Sequence, residues 1–164
     1  MTINILAIGD VGNILATLRK FTKTKIHIIN SPKDDAGIFT YDDNYELFEN
    51  YKILDQVKKI NEIKNNFDFC ITMGIGERIA YLADLNYISF YVGRDIDAPR
   101  FIKNATEVFF NQPLHTLNFL ERRFYRRAFD SAIAHVGGRW ILPYLIKYSK
   151  NYIRQIGRAS WRER

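Results

Sequence analysis

Two short segments place carboxylates beside glycine directly after apolar runs, where a sheet could present polar chemistry. The first is Gly9-Asp10-Val11-Gly12, which follows the run Ile3–Ile8. The second is Gly93-Arg94-Asp95, which follows Tyr87–Val92. A carboxylate at such a place can orient a hydroxyl group or accept its proton. Asp10 and Asp95 are therefore the candidate catalytic residues.

Each segment also has a second interpretation. Arg94 and Arg100 can grip a phosphate, or they can pair with Asp95 and Asp97 in a solvated loop that binds nothing. The segment Gly9–Gly12 has only two of the three glycines of the dinucleotide-binding fingerprint. It also lacks the lysine of a P-loop. Because Asp10 would also repel a pyrophosphate, a neutral polyol fits this turn better than a nucleotide.

The elements that position these segments alternate along the chain. Short apolar runs predict five strands, at Ile3–Ile8, Lys25–Ile29, Phe67–Thr72, Tyr87–Val92 and Ala132–Val136. Apolar residues at helical spacing predict helices near residues 14–21, 53–63, 79–85, 117–128 and 140–148, and the polar stretch 30–44 predicts a loop. Alternating strands and helices predict an α/β fold, a Rossmann-like doubly wound parallel sheet with helices on both faces.

Glycine follows or ends four of the five predicted strands: Gly9, Gly74, Gly93 and Gly137. In open α/β sheets the ligand crevice lies outside the carboxyl ends of the strands, and glycine lets a ligand approach the backbone there. The alternative is that each glycine only makes a tight turn from strand to helix. Taken together, the four glycines favour a ligand-binding site at the carboxyl edge of the sheet.

Charge is uneven, with a net of −2 over residues 1–90 and +8 over residues 91–164. On a predicted helix, four arginines and an aromatic residue lie opposite an apolar side made of Leu117, Leu120, Phe124 and Ala128. Such a face can lie against anionic lipid, bind nucleic acid, or be an ordinary solvated surface. Nucleic acid is the least favoured partner, because no stacking aromatics are identifiable on a sheet face. The candidate membrane-surface residues are Phe119, Arg122, Arg123, Arg126 and Arg127.

The cysteine and histidine residues, and the lack of long apolar segments, limit which cellular compartment and which cofactors the sequence favours. Cys70 is the sole cysteine, which favours a reducing compartment, and neither a signal peptide nor a membrane-spanning run is recognisable. We predict a cytoplasmic protein, with peripheral association at the inner face of the membrane. The spacing of His27, His115 and His135 supports no metal site, and no cofactor is expected. His27 is expected in the core, and His135 near the crevice.

Three segments in order resemble the N-terminal domain of GT-B glycosyltransferases of the group 1, or family 4, type. Phe67–Gly74 is similar to that family's strand beginning near Asp and ending in a glycine-rich turn, and Asn86–Asp95 to its strand ending in Gly-x-Asp. Glu121–His135 is similar to its charged helix followed by a strand that starts at Asp. The order and spacing match over about residues 3–150.

The resemblance implies the acceptor-side half of an enzyme that moves a sugar from a nucleotide-sugar to an acceptor hydroxyl, such as a glycan or a lipid-linked acceptor. Its acceptor-binding residues would be Gly9, Gly12, Asn13, Gly74, Gly76, Gly93 and Arg94. The nucleotide-sugar would bind a C-terminal domain whose motifs this chain lacks. Residues 1–155 are then a truncated Rossmann-like domain. Residues 156–164 resemble a translated sequencing adapter and are interpreted as an artefactual tail. The alternative is a stand-alone Rossmann-like or flavodoxin-like domain that binds a nucleotide or phosphate without catalysis.

Overall fold

A computed structural model describes residues 3–10, 14–22, 24–30, 46–91, 119–138 and 142–154. Apolar β-branched runs form most of the strands, and amphipathic segments form the helices. The strands are β1 (Asn4–Ile8), β2 (Lys25–Asn30), β3 (Glu46–Leu47), β4 (Phe69–Met73), β5 (Tyr87–Tyr91), β6 (Ala134–Gly137) and β7 (Tyr152–Arg154). The helices are α1 (Ile14–Phe21), α2 (Ile53–Ile63), α3 (Gly76–Leu82), α4 (Phe119–Ser131) and α5 (Leu142–Tyr148).

The seven strands of the described residues form one parallel sheet in the order β3-β2-β1-β4-β5-β6-β7. The first strand lies beside both β2 and β4, with Ile8 opposite Ile29 on one side and Thr72 on the other. The strand order therefore reverses between β1 and β4, which makes their carboxyl ends the switch point of the sheet.

Helices cover both faces of the sheet, as the alternating pattern predicts. Leu6 and Ile8 of β1 pack with Ile60 of α2 and Ile79 of α3. Ala7, which points to the opposite face, packs with residues of α1. The predicted Rossmann-like doubly wound fold is confirmed.

The five predicted strands are present with small shifts at their ends, but two further strands were missed. The third strand pairs only Glu46 and Leu47 with β2, and the seventh pairs Tyr152–Arg154 with β6. Both lie at the edges of the sheet and are too short to show an apolar run. The fifth helix begins at Leu142, so Pro143 lies in its first turn, where proline needs no backbone hydrogen bond, and does not break it.

The buried side of the fourth helix matches the predicted apolar side only in part. Leu120, expected on the buried side, is 73% exposed, whereas Phe129 is fully buried with Ala128. The hydroxyl of Tyr125 accepts a hydrogen bond from Arg78 of α3. The contacts that α4 makes with α3 and the sheet thus decide which side is buried, and they override the apolar stripe.

Two other residues bear on the sequence-based expectations. The side chain of His27 is 40% exposed and lies 3.1 Å from a carboxylate oxygen of Glu46, so its predicted place in the core is wrong. Cys70 is buried, and burial raises the pKa of its thiol well above the usual range, which leaves it protonated at neutral pH.

Within the described ranges, no helix has both the length and the apolar character to cross a bilayer.

Candidate functional site

The carboxyl ends of β1 and β4 form the centre of the candidate site. The backbone N–H of Gly9 donates to the carbonyl oxygen of Ile29, so the chain leaves β1 close against β2. From β4 the chain turns at Gly74 and enters α3 at Gly76. Three of the predicted acceptor-binding residues, Gly9, Gly74 and Gly76, are therefore brought together at the switch point.

Two of these glycines allow the two strand ends to touch. Gly9 has a φ of +83°, and a Cβ there would overlap the carbonyl oxygen of Met73. A Cβ on Gly76 would overlap the carbonyl oxygen of Ile8 even more closely. Close backbone contact therefore requires glycine at both positions, and the contact of either glycine with an acceptor stays a prediction.

Asp10 is 4% exposed and caps the first helix. One carboxylate oxygen accepts the backbone N–H of Leu15 and the other accepts that of Ala16, both at 2.8 Å. The N–H groups at the start of a helix otherwise have no partner and attract anions. The carboxylate of Asp10 therefore occupies the place where an anionic ligand would bind, and its catalytic role stays a prediction.

Replacing Asp10 with alanine is expected to destabilise the protein by about 2 kcal/mol, because two backbone N–H groups of α1 lose their acceptor in a buried place. Urea unfolding of the purified chain measures this loss. Asp55→Ala is the matched control, because Asp55 is exposed and accepts from the side chain of Asn50. The control should lose less than about 1 kcal/mol. Equal losses in the two variants would contradict the capping role.

A row of buried polar side chains crosses the sheet beside this centre. Thr72 of β4 lies opposite Ser89 of β5, with their hydroxyl oxygens 3.1 Å apart. Ser89 in turn lies opposite His135 of β6. Beyond this row, the hydroxyl of Tyr91 donates to Glu77 Oε2 at 2.8 Å and lies 3.1 Å from His135 Nδ1.

Sequence reasoning missed Glu77 and Tyr91 and placed His135 only approximately. His135 is buried beneath the edge and is not exposed in the crevice. The available signal was an acidic residue directly after the Gly74–Gly76 turn and a tyrosine as the last residue of β5. These residue types show that polar groups lie near the binding edge. The contact between Tyr91 and His135, however, depends on β5 and β6 lying side by side.

The other predicted site residues fall partly beyond the described ranges. Gly12, Asn13, Gly93, Arg94 and Asp95 all lie outside the described residues, as do the side chains of Phe119 and Arg122. Arg123, Arg126 and Arg127 are exposed on α4. No group of three or more metal-binding side chains is found in the described part of the chain.

Comparison with known proteins finds a likeness in structure only. No protein-family model matches the chain, and no curated protein matches it. Among solved structures it is similar to UGT73P12 of Glycyrrhiza uralensis, a glycosyltransferase whose crystal structure contains glycyrrhetinic acid 3-O-monoglucuronide, with a TM-score of 0.55. The fold is GT-B-like.

This likeness concerns one part of a larger enzyme. The two chains are 9% identical, and the match covers 94% of this chain and 48% of the glycosyltransferase. The present chain thus spans about half the length of the protein it resembles. At this identity the comparison shows the fold, and the expected fold of a GT-B domain is confirmed; the family 4 assignment stays a prediction.

Proposed function

We propose that this chain is the acceptor-side domain of a glycosyltransferase, which positions a hydroxyl group for transfer of a sugar from a nucleotide-sugar. The observation that carries the proposal is the match in fold over 94% of the chain to part of a glycosyltransferase. The nucleotide-sugar would bind a second domain across a cleft. The acceptor would be a glycan or a lipid-linked sugar.

The geometry at the switch point supports this role. Glycosyl transfer to a hydroxyl needs the acceptor held in place and its proton accepted. Each carboxylate oxygen can accept more than one hydrogen bond, so Asp10 can orient an acceptor hydroxyl while it caps α1. Asp95 is the second proposed catalytic residue. Gly9, Gly12, Asn13, Gly74, Gly76, Gly93 and Arg94 are the proposed acceptor contacts.

The same geometry disfavours the alternative of a stand-alone nucleotide- or phosphate-binding domain. In such domains a phosphate binds at the start of the helix after β1. Here the carboxylate of Asp10 accepts the N–H groups of Leu15 and Ala16. A phosphate would have to displace that carboxylate and lie beside its charge.

Ligand-induced stabilisation separates these two functions. A ligand that binds only the folded state raises the melting temperature. We expect methyl glycosides of common hexoses, added at high concentration, to raise the melting temperature of this chain, and UDP or GDP to leave it unchanged. Stabilisation by a nucleotide without any effect of the glycosides would favour the alternative.

Association with an anionic membrane is a further part of the proposal. By helical spacing Arg123 and Arg127 lie on the same side of α4 as Leu120, not opposite it as the sequence pattern was interpreted above, and the side chain of Leu120 is exposed. Arg126 is exposed beside them. Cations around an exposed apolar side chain can bind lipid headgroups while the apolar group enters the interface. Such a surface would bring the chain to a lipid-linked acceptor.

Changing Arg123, Arg126 and Arg127 together to glutamine should weaken binding to vesicles of phosphatidylcholine and phosphatidylserine by about a hundredfold, because each arginine near anionic lipid contributes about 1 kcal/mol. Co-sedimentation measures the binding. A matched control changes the exposed lysines Lys52, Lys58 and Lys150 to glutamine, which removes the same charge elsewhere. An equal loss in the control would show that net charge alone attracts the lipid.

A further inference from the structure

A groove at the outer edge of the sheet is lined mainly by charged and amide side chains. It lies between the end of β3, the loop that follows and α2, on the far side of β2 from the switch point. Its volume is about 430 Å³, which is within the range of sites that bind small molecules. The side chains that could contact a ligand there include Glu46, Glu49, Asp55, Gln56, Lys59 and Glu62.

The groove carries negative charge, although the whole chain has a net charge of +6. Four carboxylates line it, against the two ammonium groups of Lys58 and Lys59. Lys59 is already engaged, because its Nζ lies 3.0 Å from Glu46 Oε1. That hydrogen bond raises the pKa of Lys59, and the nearby charges of Glu62 and Glu49 raise it further. Three glutamates therefore lie close to a single ammonium group.

Gln56 provides a second, independent sign of a ligand. This residue is 1% exposed and lines the groove. Its Nε2 donates to the carbonyl oxygen of Asn50 at 2.8 Å, and this fixes the orientation of the amide, because a carbonyl oxygen cannot donate to Oε1. Within the described residues no donor lies within hydrogen-bond distance of Gln56 Oε1. A buried acceptor without a donor is unfavourable, and a ligand with a donor group relieves that cost.

The remaining acceptors of the wall differ in how far they are occupied. Asp55 Oδ2 accepts from the side chain of Asn50, and Glu46 Oε2 lies 3.1 Å from His27 Nε2. The carboxylates of Glu49 and Glu62 are exposed, and neither has a hydrogen bond in the described part of the chain. These two carboxylates are therefore open to a ligand.

This arrangement favours an organic cation over a metal ion. Among the described residues no group of three carboxylates or other metal-binding side chains is suited to hold one ion. The groove is also far larger than the space that one ion or water molecule fills. An ammonium group has three N–H donors, so it can bond to an amide oxygen and to a carboxylate together. Leu47, which is 42% exposed, offers an apolar contact to the carbon atoms of such a ligand.

We propose that this groove binds an organic cation with a primary ammonium group, and that Gln56 Oε1, Glu49 and Glu62 accept its hydrogen bonds. The ammonium nitrogen donates to Gln56 Oε1, and the other donors of the ligand reach the two glutamates. Polyamines and amino sugars both present this chemistry. The site is separate from the switch point, so it goes beyond the proposed glycosyl transfer and does not depend on it.

Titration of the nitrogen-15-labelled full chain with spermidine, glucosamine, N-acetylglucosamine and calcium chloride tests the site. We expect both amines to shift the side-chain amide of Gln56 and the backbone amides of Glu49 and Lys59. The tighter of the two shows whether the groove favours a polyamine or an amino sugar. N-acetylglucosamine, which has the same ring without the positive charge, should leave these signals unmoved. Signals of Gly9 and Gly74 report separately on the acceptor site, so the two proposals can fail independently.

Three results of this titration would overturn the proposal. The first is the absence of any shift in the groove with either amine. The second is an equal shift with N-acetylglucosamine, because the positive charge would then be irrelevant. The third is an equal shift with calcium, because the groove would then bind small cations in general.

Matched variants separate the groove from the overall charge of the chain. Gln56→Met keeps the length of the side chain and should weaken binding of spermidine and glucosamine about tenfold, because the buried acceptor is lost. Unchanged affinity in this variant would overturn the proposal.

A second pair of changes keeps the test valid if Gln56→Met does not fold. Glu49→Gln with Glu62→Gln, at two exposed positions, should weaken binding of both amines about fivefold. The control is Asp84→Asn with Asp130→Asn, which removes the same charge at exposed positions outside the groove and should leave affinity unchanged. An equal loss in the two double variants would overturn the proposal, because net charge alone would then explain the binding.

Discussion

Gly76→Ala is expected to lower the free energy of unfolding by about 3 kcal/mol or more, because the new methyl group would overlap backbone that cannot move aside. The carbonyl oxygen of Ile8 lies where that Cβ would be, and Ile8 is fully buried in β1, an interior strand of the sheet. Relief would require β1 and α3 to separate. Urea unfolding followed by circular dichroism measures the loss.

Gly74→Ala is a control in the same turn, with a smaller expected loss of stability. Gly74 has a φ of +55°, so alanine there carries the cost of a left-handed backbone, about 1 kcal/mol. We expect the larger loss of stability at Gly76. A loss at Gly76 no larger than the loss at Gly74 would show that β1 and α3 are not in close contact.

Phe129→Ala is expected to cost about 4 kcal/mol, because it removes a fully buried ring from between Tyr91, His135 and α5. Leu120→Ala on the same helix should change stability by less than about 0.5 kcal/mol, since Leu120 is 73% exposed. Thermal or urea unfolding of the two variants gives the comparison directly.

This pair also tests the orientation of α4. The apolar stripe in the sequence predicts that Leu120 is buried and that its truncation is costly. The structure predicts the reverse order of the two losses. If Leu120→Ala proved the more destabilising change, the exposed position of Leu120 and the buried position of Phe129 would be wrong.

The sequence predicts the central strands well because most of their residues are buried between the two layers of helices. Runs such as Ile3–Ile8 and Lys25–Ile29 are mostly apolar and short, which together indicate strands. The edge strands β3 and β7 have no such run. Glu46 pairs with Lys59 at its surface, and Ile153 is half exposed, so their strand structure comes from pairing with β2 and β6.

The candidate site is predicted only in part, for a related reason. A glycine after a strand is visible in the sequence, so the edge formed by Gly9, Gly74 and Gly76 was expected. The contact between Gly76 and Ile8, and the meeting of Tyr91 with His135, join residues that are far apart in the chain. Such contacts depend on the order of strands in the sheet, which local patterns do not encode.

The most direct test of the acceptor-side assignment is to map ligand contacts on the nitrogen-15-labelled chain by amide chemical shifts. The chain is titrated in parallel with methyl glycosides of hexoses and with UDP. We expect a glycoside to shift the amides of Gly9, Gly74 and Gly76, and UDP to leave those of Leu15 and Ala16 unmoved. Shifts of Leu15 and Ala16 with UDP, and none at the glycines with any glycoside, would contradict it.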